Sequence, residues 1–161
     1  MTSKFIHIQH DVDRGIKSER ELQPIIEQFF HTQLKKTQCK FSVMDWIGTD
    51  NCFYELKTRF SYQGKPIYKN TFDTTIVPMS KIEWIENRGL NAMFIFQFAD
   101  GLFFIRYLKD TWDKFETQAI YCSNRTGSDP ERIHICIPVN LLIPMIPIPC
   151  EEIEICESAR F

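Results

Sequence analysis

The hydrophobic positions in the first part of the chain predict a helix. Between residues 18 and 36, apolar side chains recur every three or four positions, as expected for a helix with one face on a core. Ser18 and Glu21 fit a capping box at its start. Pro24 either kinks the first turns or stands at the first position of a main helix that begins near Gln23.

The pattern then changes to short runs of aromatic and β-branched residues separated by turn residues. The segments predicted as strands are 41–47, 52–60, 74–77, 92–98, 102–108, 115–123 and 132–139. A turn at residues 48–51 joins the first two strands, and Ser80 is expected to cap a short second helix that ends near Gly89. Residues 1–16 predict a loosely held arm or an edge strand. The prolines within residues 137–149 predict an extended wrap rather than a central strand.

The composition indicates one folded domain over residues 1–161. Apolar residues make up 43% of the chain and 14 residues are Phe, which excludes disorder for most of it. We find no run of 18 apolar residues and no apolar leader, so we expect an intracellular protein of the cytoplasm or nucleus, with no membrane partner. The six cysteines show no C-x-x-C spacing and indicate free thiols in a reducing compartment. A zinc site from Cys150, Cys156 and His134 stays open as an alternative.

The net charge of −2 counts mildly against a nucleic-acid partner, because proteins that bind phosphates are often basic. The charges are unevenly distributed, however. Many Lys and Arg residues fall in the first 90 positions, and four Glu residues follow Cys150 and offset them. A basic surface and a set of ordinary solvated lysines are both compatible with this pattern.

The most informative residues are Asp45, Glu55 and Lys57. Glu55 and Lys57 are two positions apart in one predicted strand, so they share a face. The turn at residues 48–51 folds Asp45 back toward Glu55. Two carboxylates can hold Mg²⁺, which lowers the pKa of a bound water and stabilises charge on a phosphate. Lys57 can orient that water or neutralise the developing charge.

The spacing D-x(9)-E-x-K across a hairpin resembles the PD-(D/E)XK nuclease superfamily, which includes restriction endonucleases, phage-type exonucleases and Holliday junction resolvases. Met44 stands where the family has proline. The resemblance covers residues 15–108 and is nearest to viral and phage members. It implies a restriction-endonuclease-like α/β core, a mixed sheet flanked by helices in the order αβββαβ, with extra strands in residues 109–161. The first core strand has no clear counterpart, because only one hairpin precedes the second helix.

The resemblance extends to Glu19 and Lys81. Residues 19–21 (ERE) resemble the opening of resolvase-like members, whose first glutamate joins the metal site. A rotation of about 100° per residue puts Glu19 on the apolar face of the helix. Lys81 opens the second helix, where family members place a Lys or Gln near the scissile phosphate, and a helix N-terminus favours phosphate.

The resemblance implies hydrolysis of phosphodiester bonds in DNA with Mg²⁺ or Mn²⁺, in DNA processing, recombination or repair. We assign metal binding to Asp45, Glu55 and Glu19, and positioning of water to Lys57. The substrate-binding residues are expected to be Lys81, Arg59 and Lys69. A homodimer would suit cutting of two strands. No P-loop or dinucleotide motif occurs, so no nucleotide cofactor is expected.

Simpler interpretations remain open for each of these residues. Glu55 and Lys57 can be a solvated pair on one strand, Asp45 a turn residue, and Glu19 an ordinary charge of a first helical turn. For the whole chain, one alternative is a catalytically inactive nuclease-fold module that binds nucleic acid or protein. Another is a protein-interaction domain, which the acidic tail and the proline-rich end of the chain favour.

Overall fold

A computed structural model describes residues 3–37, 43–121 and 131–145. The chain forms an α/β structure with few helices and a mixed sheet of parallel and antiparallel strands. The helices are α1 (Ser3–Phe30), α2 (Met79–Glu86) and α3 (Lys109–Trp112). The strands are β1 (Leu34–Lys36), β2 (Trp46–Gly48), β3 (Cys52–Thr58), β4 (Ser61–Tyr62), β5 (Lys65–Pro66), β6 (Thr74–Pro78), β7 (Asn91–Phe98), β8 (Gly101–Arg106), β9 (Thr117–Tyr121), β10 (Glu131–Pro138) and β11 (Ile143–Pro144). Two 3₁₀ turns cover Lys69–Thr71 and Val139–Leu141.

The main sheet has six strands in the order β1-β2-β3-β7-β8-β11. β3 and β7 are parallel, and the other neighbours are antiparallel. Two parallel neighbours need a crossover connection, and the chain between β3 and β7 supplies it with α2. The chain thus runs through a helix, three antiparallel strands, a helix and a parallel strand. This order is compatible with the expected αβββαβ core.

Both faces of the main sheet are covered by apolar side chains. On one face, Tyr54 and Leu56 of β3 pack with Ile26 of α1. On the other, Phe94 and Phe96 of β7 belong to a larger cluster that takes in α2 and the second sheet. A strand covered on both sides reads as a continuous apolar run, which explains the sequence of β7. The side chains of Glu55 and Lys57, which alternate with Tyr54 and Leu56, therefore lie on the face away from α1.

Helix α1 differs from the sequence-based prediction at both ends. It begins at Ser3, so the prediction of an arm or edge strand over residues 1–16 is wrong where the structure describes them. Ser18 is buried inside the helix and does not cap it, and the helix continues through Pro24. It ends at Phe30, and Leu34–Lys36 forms β1, the first core strand that the sequence did not reveal. The polar start of α1 has no hydrophobic period, and helix propensity by itself is a weak signal.

The sequence predicted one mixed sheet, and this prediction is wrong for three strands. β6, β10 and β9 form a separate three-stranded sheet. The prediction of a wrap is wrong up to Pro138, since β10 is the central strand of that sheet, whereas β11 lies at an edge of the main sheet. Ser80 does not cap α2, since Pro78 occupies the N-cap position. Residues 1–2, 41–42, 122–123 and 146–149 of the predicted elements lie outside the described residues. Residues 43–45 of the predicted strand 41–47 are not in a strand, because β2 begins at Trp46. No helix in the described ranges is long and apolar enough to cross a membrane.

Candidate functional site

The hairpin of β2 and β3 fixes Asp45 beside the middle of β3. Trp46 pairs with Tyr54, and the Asp45 backbone N–H donates to the Tyr54 carbonyl oxygen at 3.1 Å. The Asp45 carboxylate then accepts the backbone N–H of Leu56 through Oδ2 at 2.8 Å. This side chain thus takes the place of a strand carbonyl, which orients the carboxylate and holds it next to Glu55.

The turn at residues 48–51 has the geometry that its sequence predicts. Asn51 adopts a φ of 59° and donates its backbone N–H to the Gly48 carbonyl oxygen at 3.0 Å. Asp50 accepts the Cys52 backbone N–H at 3.1 Å and the Tyr54 hydroxyl at 2.6 Å. Asp50 is therefore a turn residue, and the carboxylates of the site are those of Asp45 and Glu55.

Glu55 is a buried carboxylate, with 2% of the residue exposed. Its Oε1 pairs with the amines of Lys57 and Lys81, the latter at 3.0 Å. Lys81 also donates to the Val43 carbonyl oxygen. The second oxygen, Oε2, is buried and has no hydrogen-bond partner among the described residues. A buried, unpartnered carboxylate oxygen is costly, and a cation is one kind of ligand that would fit this atom.

The pKa of the Asp45 carboxyl is raised by its surroundings. Burial is the main cause that raises the pKa of Asp45 to about 6, and the charge of Glu55 is the second. The Leu56 N–H, Lys57 and Lys81 act in the opposite direction. Two carboxylates in a region of low dielectric repel each other, and a divalent cation between them would relieve that repulsion. The residues present therefore fit a divalent metal ion.

Arg59 extends the charged face of β3, because it follows Glu55 and Lys57 at the same two-residue spacing. One guanidinium nitrogen lies 3.5 Å from the Ile76 carbonyl oxygen. Burial lowers the pKa of Arg59, and the Glu55 carboxylate opposes that shift. Lys57 and Lys81 thus stand beside the two carboxylates, and Arg59 adds a positive charge farther along the same face. The face as a whole carries a surplus of positive charge that can attract a phosphate.

Glu19 does not join the two carboxylates, contrary to the expectation from the sequence. Its side chain is only 19% exposed, so the helical-wheel argument placed its face correctly. It forms an ion pair with Lys36, a residue expected in the helix but located in β1. Within the described ranges, no three His, Cys, Asp or Glu side chains cluster closely enough to hold a metal ion. The site therefore rests on two carboxylates.

Lys69 lies away from the carboxylate pair, in the first 3₁₀ turn. Its amine stands over the Phe103 ring at 5.3 Å, and its backbone N–H donates to Asp100 at 2.9 Å. It lines a cavity of about 220 Å³ together with Arg59 and Phe72. This cavity was not predicted from the sequence, although residues 59–72 contain cations and aromatic residues without any carboxylate.

The alternative zinc site gains no support from the described residues. His134 is buried and its Nδ1 lies 3.0 Å from the Arg132 carbonyl oxygen, a contact within its own strand. Cys150 and Cys156 lie outside the described residues.

Asp45, Glu55, Lys57 and Lys81 thus make a compact charged site on one face of a covered sheet. A fold by itself does not identify an activity, so the function has to be argued from these side chains. Comparison with known proteins gives no family assignment: no protein-family model, curated protein or solved structure matches the chain.

Proposed function

We propose that this chain is a metal-dependent nuclease with a restriction-endonuclease-like core, which hydrolyses phosphodiester bonds in DNA with Mg²⁺ or Mn²⁺. The observation that carries the proposal is the buried Glu55, whose Oε2 has no partner among the described residues. Beside it, Asp45 is fixed by the Leu56 N–H and has a raised pKa. Removing carboxylates from water costs free energy unless cations or hydrogen bonds compensate them, and perturbed pKa values cluster at functional sites.

Asp45 and Glu55 would hold the metal ion. Mg²⁺ commonly takes one or two carboxylates, keeps several waters and completes its shell with substrate phosphate. Two carboxylates, one from β3 and one from the residue before β2, meet that requirement without Glu19. When bound, the ion supplies a water of lowered pKa and a positive charge against the phosphate.

The cations around the pair would bind and orient the phosphate. Lys57 pairs with Glu55 and has 20% of its side chain exposed, so its amine would be close enough to the metal site to position an attacking water. Lys81 is held by Glu55 and the Val43 carbonyl oxygen, which limits its freedom and keeps a positive charge at the site. Both amines can neutralise charge that develops on the phosphate oxygens.

One observation favours the second candidate, a catalytically inactive nuclease-fold module. Lys57 and Lys81 both pair with Oε1 of Glu55, so two amines already compensate one carboxylate. Such a network can stabilise a fold without any metal. A titration with Mn²⁺ separates the two candidates, because an inactive module should not bind the ion at this site.

The activity is tested by incubating linear, circular and branched DNA with the full chain, with and without Mn²⁺. We expect cleavage only with the metal, and none from the Asp45→Asn variant. Cleavage of the circular DNA would indicate an endonuclease. Cleavage restricted to ends would indicate an exonuclease, and cleavage restricted to branched DNA would indicate a junction resolvase. If no DNA is cut and Mn²⁺ produces no thermal shift, the proposed function is excluded.

A further inference from the structure

A basic and aromatic segment follows β3 directly. Residues 59–72 contain Arg59, Lys65 and Lys69 and no Asp or Glu. The segment folds into the β4–β5 ribbon and the first 3₁₀ turn, beside the main sheet rather than within it. The segment itself therefore carries three positive charges and no negative one, although the chain as a whole is slightly acidic.

The same segment exposes three aromatic rings. Tyr62, Tyr68 and Phe72 are 62%, 50% and 57% exposed. Phe is usually buried and Tyr is buried less often, but a group of exposed rings commonly marks a binding surface. Interspersed with lysines, exposed rings offer stacking faces and charge together.

A cavity lies beside two of these rings, and its wall reaches the end of β3. Tyr68, Lys69 and Phe72 line the cavity of about 220 Å³, and Arg59 forms part of its wall. Arg59 also interacts with the charge of Glu55. A rise of about 3.3 Å per strand residue separates Glu55 from Arg59 by roughly 13 Å, the length of a few nucleotides. A DNA strand held at the cavity would therefore be long enough to reach the carboxylates.

We propose that residues 59–72 bind the unpaired nucleotides of a single-stranded segment of DNA. The bases stack on Tyr68 and Phe72, and Arg59, Lys65 and Lys69 contact the phosphates. Proteins that bind single strands combine these two features, because every base has a face that an aromatic ring can stack on. A duplex keeps its bases paired and stacked on one another, so it cannot use these rings. This inference rests on the proposed function for the role of the strand as substrate, but the binding itself does not require cleavage.

Binding is measured by fluorescence polarisation, using the full chain with Asp45→Asn, chelator present, and a labelled oligo-dT or a matched duplex. We expect tighter binding of the single strand, weakening with salt. Phe72→Ala and Tyr68→Ala should each weaken it roughly 5- to 150-fold, the range for loss of one stacked base. Leu108→Ala removes a side chain that is equally exposed elsewhere and should change nothing.

Conservative variants of Phe72 identify the type of contact. Phe72→Trp should retain binding, because a larger ring still stacks, whereas Phe72→Leu should bind as weakly as Phe72→Ala. If Phe72→Leu binds like the parent chain, the surface recognises an apolar partner and base stacking is excluded. Equal affinity for duplex and single strand would also overturn the inference. Far-UV circular dichroism of each variant confirms that it is folded.

The outcome for the inference can be separated from the outcome for the proposed function. If metal-dependent cleavage is unchanged in Tyr68→Ala and Phe72→Ala, the proposed nuclease activity is supported and the single-strand binding surface is refuted. Stacking-dependent binding without cleavage under any metal would leave the surface in place and indicate the inactive module.

Discussion

Lys81 Nζ lies 3.0 Å from Glu55 Oε1 and joins the first turn of α2 to the centre of β3. The same amine donates to the carbonyl oxygen of Val43, two residues before Asp45. One side chain thus ties together the helix, the strand that carries Glu55 and the segment that carries Asp45. The position of α2 relative to the hairpin is therefore set partly by a charged contact inside the candidate site.

The first prediction concerns Asp45 and Lys57. Asp45→Asn keeps an oxygen that can accept the Leu56 N–H but loses the negative charge, so the fold should survive and cleavage should be lost. Lys57→Ala should lower the cleavage rate by on the order of 10²- to 10³-fold, the usual effect of deleting a group that stabilises the transition state. The measurement is cleavage of DNA with Mn²⁺, with thermal unfolding as the control. Unchanged cleavage in both variants would refute the mechanism.

The second prediction concerns the metal and Glu55. Because the ion should bind the folded site and not the unfolded chain, Mn²⁺ at about 100 times its Kd should stabilise the protein by about 2.7 kcal/mol. Glu55→Gln removes one of two charged ligands and should abolish this response. The measurement is thermal unfolding over a Mn²⁺ titration, with samples without added metal and samples with chelator as references. A full response in Glu55→Gln would place the metal elsewhere.

The third prediction separates Glu19 from the site. Glu19 pairs with Lys36, so Glu19→Gln should retain both the Mn²⁺ response and the cleavage. The lysine of this pair is 56% exposed, and pairs of this kind contribute up to about 1 kcal/mol, so the loss of stability should be small. Lys36→Met is the matched control, because it removes the partner. Loss of the metal response in Glu19→Gln alone would restore Glu19 as a ligand.

The local parts of the site follow from the sequence. A period of two predicted that Glu55 and Lys57 share a face, and their contact confirms it. The residues of the 48–51 turn predicted the hairpin that returns Asp45 to β3, and the structure contains it. Both depend on neighbours only a few positions apart, where periodicity and turn chemistry are strong signals.

The distant parts do not follow from the sequence. β1 has three residues, two of them lysines, and its apolar Leu34 continues the period of α1, so the pattern extends the helix across it. The second sheet depends on the pairing of Val77 with Ile135, which no local pattern encodes. The Glu19–Lys36 pair could not be predicted from the sequence either, because its geometry depends on where α1 ends. Tertiary context decides these features, and a single sequence does not show it.

The fourth prediction follows from the pKa of Asp45, which is about 6 in the folded chain against a usual 3.8. The native state binds this proton more tightly than the unfolded chain does, so the group lowers stability as the pH rises from about 4 to about 6. The shift corresponds to at most about 3 kcal/mol. Without metal at about pH 8, Asp45→Asn should therefore be more stable than the natural chain, by about 1–3 kcal/mol.

Urea unfolding with chelator at about pH 5 and about pH 8 measures this difference. The advantage of Asp45→Asn should shrink at the lower pH, because the natural carboxyl is then largely protonated. Saturating Mn²⁺ at the higher pH should reverse the order, since the variant lacks a charged ligand. If the variant is no more stable than the natural chain at the higher pH, burial and the charge of Glu55 do not raise the pKa of Asp45 to about 6.

The last prediction tests the hairpin that positions the site. A Cβ on Gly48 would collide with the Asp50 carboxylate and would lie 2.7 Å from Thr32 Oγ1 and 2.9 Å from the Tyr54 ring. Gly48→Ala should therefore destabilise the protein by about 1–3 kcal/mol, as overpacking does. Gly15→Ala is the matched control. Nothing lies within 4 Å of its added Cβ, and alanine in a helix should stabilise by up to about 1 kcal/mol.

Chemical unfolding of the two glycine variants gives the comparison, and cleavage by Gly48→Ala gives a second readout. Asp50, which the new methyl group would displace, accepts both the Cys52 N–H and the Tyr54 hydroxyl, so the turn and β3 should shift together. Because Asp45 is held by the backbone of β3, that shift should also slow cleavage. If Gly48→Ala is as stable as Gly15→Ala, the close packing of β2 against Thr32 and Tyr54 is refuted, and with it the placement of Asp45 beside Glu55.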